Sequence, residues 1–115
     1  MSEQNCLFCR IVAGEIPAKK VFEDGRAVAF RDINPQAPTH VLVIPRKHLA
    51  SLDEAQADDE ALVGHLFRVA SRVAADEGLA GGFRTVVNNG PDAGQTVFHI
   101  HVHVLGGRPL SWPPG

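Results

Sequence analysis

His99, His101 and His103 alternate with apolar residues near the C-terminus. A β-strand sends successive side chains to opposite faces and rises about 3.3 Å per residue, so the three imidazoles are expected on one face, roughly 6 to 7 Å apart. The residues that alternate with them, Ile100, Val102 and Val104, would then face a core. Near pH 7 an imidazole acts as a nucleophile, a general acid or base, or a metal ligand. The spacing therefore indicates a chemical site, but it does not decide among these roles.

Cys6 and Cys9, the only cysteines, form a CxxC pair. Two sulfurs three residues apart can converge on one metal ion at about 2.3 Å from each. The pair is too close in sequence to close a long loop, and a structural disulfide is unexpected in a cytoplasmic protein. Three interpretations therefore remain at this point: half of a zinc site, a pair of reduced thiols without a metal, or a redox pair.

The size and charge of the chain restrict its function class. A chain of 115 residues is long enough for one domain, so residues 1–115 are predicted to form a single domain. The formal charge of −2, without clustered lysines and arginines, argues against DNA or RNA as a partner. No segment reaches the length of a membrane span, and the start lacks a signal-peptide pattern, so the predicted location is the cytoplasm. A single nucleotide remains possible as a ligand.

The elements that must position these residues can be predicted from local patterns, beginning with the N-terminal half. Apolar residues at helical spacing favour a short helix over residues 5–13, with Asn5 as the N-cap and Gly14 as the stop. Asp24-Gly25 is typical of a hairpin turn between two strands. A third, β-branched strand is closed by Pro45. The three strands are predicted at residues 19–22, 26–31 and 40–44.

The C-terminal half predicts a long helix and two further strands. The segment Ser51 to Glu54 resembles a capping box, and residues 58–77 form an amphipathic pattern that Gly78 ends. The apolar arc of this helix is about 160° wide, more than the ~100° needed to pack on one sheet, which indicates a partner surface. Its members are Leu62, Val63, Leu66, Phe67, Val69, Ala70, Val73 and Ala74. With strands at 83–87 and 98–105, the prediction is an α+β fold: a five-stranded antiparallel sheet with two helices.

The segment His99 to Leu105, with the preceding Gly94-Gln95-Thr96, resembles the motif of the histidine triad (HIT) superfamily, in which three alternating histidines are interleaved with hydrophobic residues. Further segments are similar to its nucleotide-binding branch: Glu15 to Lys19, Asp32 to His40, Pro45 to His48 and Trp112 to Gly115. The resemblance covers nearly the whole chain. It implies the HIT fold, a homodimer with a ten-stranded sheet, binding of purine nucleotides of the AMP or GMP type, and hydrolysis of nucleoside phosphoramidates.

The resemblance assigns separate roles to three histidines. His101 matches the nucleophile, which attacks the α-phosphorus and forms a nucleotidyl-histidine that water then hydrolyses. His103 matches a residue that forms a hydrogen bond with the phosphoryl oxygens or the leaving group, and His40 one that lies near the nucleophile or the bridging atom. A purely structural role is the alternative for His101 and for His103.

The same resemblance implies a nucleotide-binding set. Asp32 matches the carboxylate that accepts hydrogen bonds from the ribose hydroxyls. The matching phosphate-binding loop contains Asn88, Gly94, Gln95 and Thr96, the last in place of the serine common in this branch. Residues around the nucleobase correspond to Phe30, Ile33 and Leu7, for which core packing is the alternative. Trp112 is expected near the site of the other subunit, or else as an anchor of the tail.

The resemblance also completes the metal site. Some members bind structural zinc through a CxxC pair, the histidine of a Pro-x-x-His segment and the first histidine of the triad, which here are Cys6, Cys9, His48 and His99. A closed Cys2His2 set would be structural and would leave His101 and His103 free for chemistry. His65 is predicted to be an ordinary surface residue.

The resulting hypothesis is a purine nucleoside phosphoramidase with structural Zn²⁺, acting on substrates such as AMP-NH2, AMP-lysine or aminoacyl-adenylates. Three alternatives remain open: a dinucleoside polyphosphate hydrolase, a nucleotide-binding scaffold without catalysis, and a domain whose three histidines all bind metal.

Overall fold

A computed structural model describes residues 5–115 of the chain. The helices are α1 (Leu7–Val12) and α2 (Glu60–Asp76), and the strands are β1 (Lys20–Glu23), β2 (Ala27–Arg31), β3 (Thr39–Pro45), β4 (Phe83–Val86) and β5 (Val102–Gly106). Short 3-10 turns cover Leu52–Glu54, Ala57–Asp59 and Pro91–Ala93. Neither helix in this part of the chain is long and apolar enough to cross a membrane.

The five strands form one antiparallel sheet in the order β1-β2-β3-β5-β4. The predicted α+β fold is therefore confirmed. Strand β3 lies in the centre and is buried along its whole length, and its residues from Val41 to Pro45 form a continuous apolar run. Across the β3–β5 pair Leu42 lies opposite His103 and His40 lies opposite Leu105. Two edges remain, β1 and β4.

The sheet has a helix on each face, and the alternation of side chains decides which residues face which helix. One face packs on α2 through Val41 and Val43 and through the three apolar residues that alternate with the histidines, as predicted. The other face packs on α1 through Val28, Phe30, Leu42 and Ile44. His40, His101 and His103 point to this second face, because they alternate with the residues that pack on α2. Helix α1 therefore lies on the same face as the chemical site.

Strand β5 begins at Val102, and the prediction of a strand from residue 98 was wrong. Continuing the register would place Ile100 opposite Pro45, which has no N–H to add to the ladder. The amide of Ile100 instead donates to the main-chain oxygen of Leu49, at 2.7 Å. His99 and His101 therefore lie in the segment just before the strand.

Two predicted caps were also wrong. Cys6, not Asn5, is the N-cap of α1: its Sγ accepts from the amide of Cys9 at 3.3 Å. The capping box before α2 is formed by Gln56 and Asp59, whereas Ser51 makes no cap hydrogen bond. Both errors have the same cause. A local sequence pattern shows which residues are suited to capping, but it does not show at which residue the first turn of the helix begins. Gly14, with φ of +80°, ends α1 as predicted.

His65 is not an ordinary surface residue. Its Nε2 lies 2.7 Å from Oδ2 of Asp24, and its Nδ1 lies 3.1 Å from Nη2 of Arg26. Asp24 also accepts from the amides of Arg26 and Ala27 through Oδ1, both at 2.8 Å, which closes the predicted hairpin turn. This carboxylate therefore joins the hairpin to α2.

Candidate active site and metal centre

Three histidines and one aspartate converge on the α1 face of the sheet. His40 on β3 and His103 on β5 are diagonal neighbours across the ladder, and Nε2 of His40 lies 2.9 Å from Nδ1 of His103. The ring of His101 lies 5.0 Å from that of His103. Asp32, just after β2, places Oδ2 3.5 Å from Nε2 of His40. The predicted catalytic histidines are thus brought together with the predicted ribose ligand.

The hydrogen bond made by His101 decides which of its nitrogens is free. Its Nδ1 lies 2.8 Å from the main-chain oxygen of His99. A carbonyl oxygen only accepts, so the proton is on Nδ1 and the lone pair is on Nε2. Within residues 5–115, Nε2 has no hydrogen-bond partner. Burial lowers the pKa of His101, which favours the neutral ring.

Phe8 of α1 holds the His101 ring from the side. The two rings meet edge to face at a centroid distance of 5.1 Å, and Phe8 meets Phe30 of β2 in the same way at 5.4 Å. Phe8 was not among the predicted site residues, although its place on the apolar side of the predicted first helix indicated a buried residue.

The His40 ring is held at both nitrogens. Its Nδ1 accepts from the main-chain amide of Gln36 at 3.0 Å, and its Nε2 faces His103 and Asp32. Burial lowers the pKa of His40 despite the nearby charge of Asp32. Burial, with the nearby His101 and His40, also lowers the pKa of His103 to about 4. These rings are therefore neutral near pH 7.

The predicted zinc ligands converge on a second point behind His101. Nδ1 of His99 lies 3.4 Å from Sγ of Cys6, 3.4 Å from Sγ of Cys9 and 3.2 Å from Nδ1 of His48. Sγ of Cys9 lies 3.2 Å from Nδ1 of His48. The four donor atoms all lie within 4.8 Å of one another. His101 is not among them, which argues against a metal site that uses all three alternating histidines.

The geometry of this cluster fits a metal ion. Nε2 of His99 lies 2.8 Å from the main-chain oxygen of Pro45 and so carries the proton, which leaves one lone pair on Nδ1. One lone pair cannot accept hydrogen bonds from three converging atoms, whereas one cation can bind all four donors. Tetrahedral Zn²⁺ with nitrogen and sulfur ligands requires N···N edges of about 3.3 Å and S···N edges of about 3.6 Å. The observed distances agree within a few tenths of an ångström.

Asp32, His40 and His103 have a similar spacing, but their protonation argues against a second metal site. The amide of Gln36 occupies the one lone pair of neutral His40, so Nε2 carries a proton instead of an electron pair. Binding a metal there would move the proton to Nδ1, where it would face the donating amide. This group is therefore a hydrogen-bonded chain.

The predicted phosphate-binding residues lie in the loop before β5. Gly94 has φ of +95°, a left-handed conformation that suits glycine, and Thr96 is exposed. The buried side chain of Gln95 instead holds the loop: it accepts from the amide of Gly90 and donates to the main-chain oxygens of Ala50 and Val97. Asn88, at the start of the loop, is half-buried.

The four predicted apolar contacts differ in burial. Phe30 is buried between the sheet and α1, whereas Leu7 and Trp112 are exposed and Ile33 is fully exposed. Leu7 and Thr96 line one cavity of about 510 Å³, together with Phe98 and His48. Neither Ile33 nor Trp112 is among the residues that line this cavity.

Comparisons with known proteins agree with this geometry. The family sequence model of the HIT domain matches residues 13–110 of this chain. A HIT family hydrolase from Legionella pneumophila Philadelphia 1 has 53% sequence identity and a TM-score of 0.95, covering 96% of this chain and 100% of that one. The histidine triad nucleotide-binding protein from Candida albicans has 32% identity and a TM-score of 0.80, covering 94% and 82%. A 14 kDa zinc-binding protein from Zea mays is 48% identical over 117 residues, 100% of this chain and 91% of the maize protein.

Proposed function

We propose a function on the premise that the chain belongs to the HIT domain family. The protein is a hydrolase that cleaves the P–N bond of purine nucleoside 5′-phosphoramidates. The observation that carries this proposal is the state of His101. Its Nδ1–H is held by the main-chain oxygen of His99, so the lone pair of Nε2 is available on the same face as His103 and His40. A neutral imidazole in this orientation is a nucleophile that needs no prior deprotonation.

The reaction has two steps at His101. Nε2 attacks the α-phosphorus, and the P–N bond of the substrate breaks while a bond from phosphorus to Nε2 forms. The departing nitrogen takes up a proton and leaves as an amine. Water then attacks the same phosphorus, which releases the nucleoside monophosphate and a proton and restores His101. The bond from Nδ1–H to the oxygen of His99 stabilises the positive charge that the ring carries in the intermediate.

The other residues of the site bind and orient the nucleotide. Asp32 is partly exposed, and one of its oxygens accepts from the amide of Asn34 at 2.8 Å, so the carboxylate is oriented for ribose hydroxyls. Thr96 supplies a hydroxyl for the phosphate. The loop around Gly94 positions this hydroxyl, because the amides of Ala93, Gly94 and Gln95 donate to main-chain oxygens within the loop. The apolar side chains of Leu7 and Phe30 support the base. Ile33 and Trp112 are exposed in the single chain, and their proposed contacts are with the nucleotide or with the partner subunit.

We further propose that Cys6, Cys9, His48 and His99 hold Zn²⁺. Four protein ligands leave no open position, so the ion supplies structural stability and no catalytic water. The support is the donor geometry, and the maize relative is described as a zinc-binding protein. His99 joins both sites, since its ring belongs to the metal cluster and its main-chain oxygen orients His101.

The active protein is proposed to be a cytoplasmic homodimer, as in the nucleotide-binding branch of the family. Two features support the dimer: β4 is an edge strand with Phe83 exposed, and Phe67 on α2 is 41% exposed despite its place in the apolar arc. Edge strands with free backbone groups are suited to pairing with a second copy.

The test is mass spectrometry of protein quenched rapidly after mixing with adenosine 5′-phosphoramidate. We expect an adenylyl adduct on a peptide containing His101, followed by release of AMP. The His101→Ala variant should form no adduct and lose at least about 10³-fold in turnover. Metal content and circular dichroism of this variant serve as controls for folding.

The same assay separates the alternatives. Faster turnover of a dinucleoside polyphosphate than of the phosphoramidate would assign the site to that substrate class. AMP binding without an adduct or product from either substrate would contradict catalysis and favour a nucleotide-binding scaffold.

A further inference from the structure

We propose that the main-chain amide of Gln36 is a positioning group which fixes, through His40, the proton of His103 on Nε2. His103 then presents a donor, never an acceptor, toward a phosphoryl oxygen of the substrate. The protonation pattern stands on the geometry of the folded chain alone, and only its effect on turnover rests on the proposed function.

The first step is at His40. The amide of Gln36 can only donate, and it lies 3.0 Å from Nδ1, so Nδ1 has the lone pair. A neutral imidazole has one proton, which must therefore be on Nε2. Placing a proton on Nδ1 would bring two donors together at hydrogen-bond distance. His40 is 5% exposed, so water cannot relieve that contact.

The second step is at His103. Its Nδ1 lies 2.9 Å from the protonated Nε2 of His40, so Nδ1 of His103 accepts and its own proton is on Nε2. Within the described residues, Nε2 of His103 has no hydrogen-bond partner. The charge of Asp32, whose Oδ2 lies 3.5 Å from Nε2 of His40, favours the same arrangement because a lone pair there would face a carboxylate.

The turn that carries Gln36 is held on both sides. The amide of Asp32 donates to the main-chain oxygen of His40 at 3.0 Å, which closes the base of the turn. Oδ1 of Asp32 accepts from the amide of Asn34, and the main-chain oxygen of Gln36 accepts from Nη2 of Arg108 at 2.9 Å. The direction of the Gln36 amide is thus determined by the tertiary structure.

The consequence is that the two neighbouring triad histidines have opposite protonation. His101 is protonated on Nδ1 and presents a lone pair, while His103 is protonated on Nε2 and presents a proton. A nucleophile and a hydrogen-bond donor on adjacent positions of one face are what an attacked phosphoryl group requires.

The test removes the hydrogen atom of the main-chain amide of Gln36. Lactic acid is incorporated at position 36 by cell-free translation, which replaces the amide with an ester, and the product is compared with Gln36→Ala. The two proteins have the same side chain at this position and differ only in N–H against O. The first readout is the ¹⁵N chemical shifts of the His40 and His103 rings.

In the Gln36→Ala protein we expect His40 and His103 to be protonated on Nε2. In the ester protein both rings should show a mixture of the two protonated forms. The kcat for adenosine 5′-phosphoramidate should fall about 10-fold while KM changes little, because the donor acts on the transition state. Identical shifts in the two proteins would overturn the proposal.

A second measurement keeps the test decisive if the ester protein does not fold: the ¹⁵N chemical shifts of the His103 ring in the wild-type protein. We expect these shifts to show the proton on Nε2. Shifts that show the proton on Nδ1 would also overturn the proposal. Failure of the proposed function can be told apart from failure of this proposal. A missing adduct on His101 would contradict the proposed function, while the ring shifts would still report the protonation of His40 and His103.

Discussion

His101 and His103 project from one face, yet their main-chain and side-chain partners give them opposite tasks. The carbonyl of His99 holds the proton of His101 on Nδ1, whereas Nε2 of His40 makes Nδ1 of His103 an acceptor. The alternation of residues brings the two rings close together. The hydrogen bond at Nδ1 of each ring decides whether its Nε2 carries a lone pair or a proton.

Replacing His103 tests its role as a donor. His103→Ala removes the proton, and we expect kcat for adenosine 5′-phosphoramidate to fall about 10²-fold with little change in KM. His103→Gln should recover part of this loss, because its terminal amide has N–H groups near the position of Nε2. Equal losses in the two variants would argue that the ring acts only by its size.

The pH dependence of stability follows from the burial of the same ring. Burial and neighbouring histidines lower the pKa of His103 to about 4, below the value near 6.5 of an unfolded histidine. As the pH falls, the unfolded chain therefore takes up the proton first. The contribution of His103 to stability is complete above pH 6.5 and decreases between about pH 6.5 and 4, by up to about 1.4 kcal/mol per pH unit.

Urea unfolding at pH 7 and pH 5 measures this effect. We expect the free energy of unfolding of wild type to fall more over this interval than that of His103→Gln, by about 1 to 2 kcal/mol. The comparison cancels the titrating groups that do not interact with His103, including those of the metal cluster. Parallel losses in the two proteins would contradict a lowered pKa for His103.

At the scale of elements, α1 is short and depends on its attachments. Its six residues are too few for a helix that is stable alone. Phe8 and Ile11 are buried against the sheet, and the Cys6 and Cys9 sulfurs meet His48 and His99. A metal ion bound there would tie α1 to the segments that follow β3 and precede β5, and would thereby fix the position of Phe8 beside His101.

Metal content distinguishes this cluster from the catalytic histidines. We expect purified wild-type protein to contain about one zinc per chain by elemental mass spectrometry, and Cys9→Ala to contain much less and to melt at a lower temperature. His101→Ala should retain the zinc, because its ring contributes no donor to the cluster. Loss of zinc in His101→Ala would contradict the separation of the two sites.

At the scale of the whole molecule, the sheet packs on a helix at each face, and its two edge strands are β1 and β4. Phe83 on β4 is 42% exposed. A charge introduced on such an edge is unfavourable for strand pairing.

Sedimentation velocity tests the proposed dimer. We expect wild type at micromolar concentration to sediment as twice the 12.4 kDa chain and Phe83→Glu to sediment as a monomer. Leu52→Glu is the matched control, since this residue has a similar exposure of 41% but lies on a different element. A monomeric wild type over the whole range would contradict the dimer.

The sequence by itself determined the kind and order of the helices and strands and the two faces of the sheet. The alternation at residues 99–104, the Asp24-Gly25 turn and the wide apolar arc after Glu60 are local patterns, and local patterns report backbone periodicity directly. The grouping of Cys6, Cys9, His48 and His99 followed from the family resemblance, and the structure brings their donor atoms together.

Only the tertiary structure decided the start of β5, the caps of both helices and the positions of the ring protons. Each depends on a partner that lies elsewhere in the chain or closes a turn: Leu49 for the amide of Ile100, Pro45 for His99, and Gln36 for His40. A histidine in a sequence has two equivalent choices of neutral form, and the difference between them is the direction of a hydrogen bond. That direction exists only after the strands and the turns between them have been placed in space.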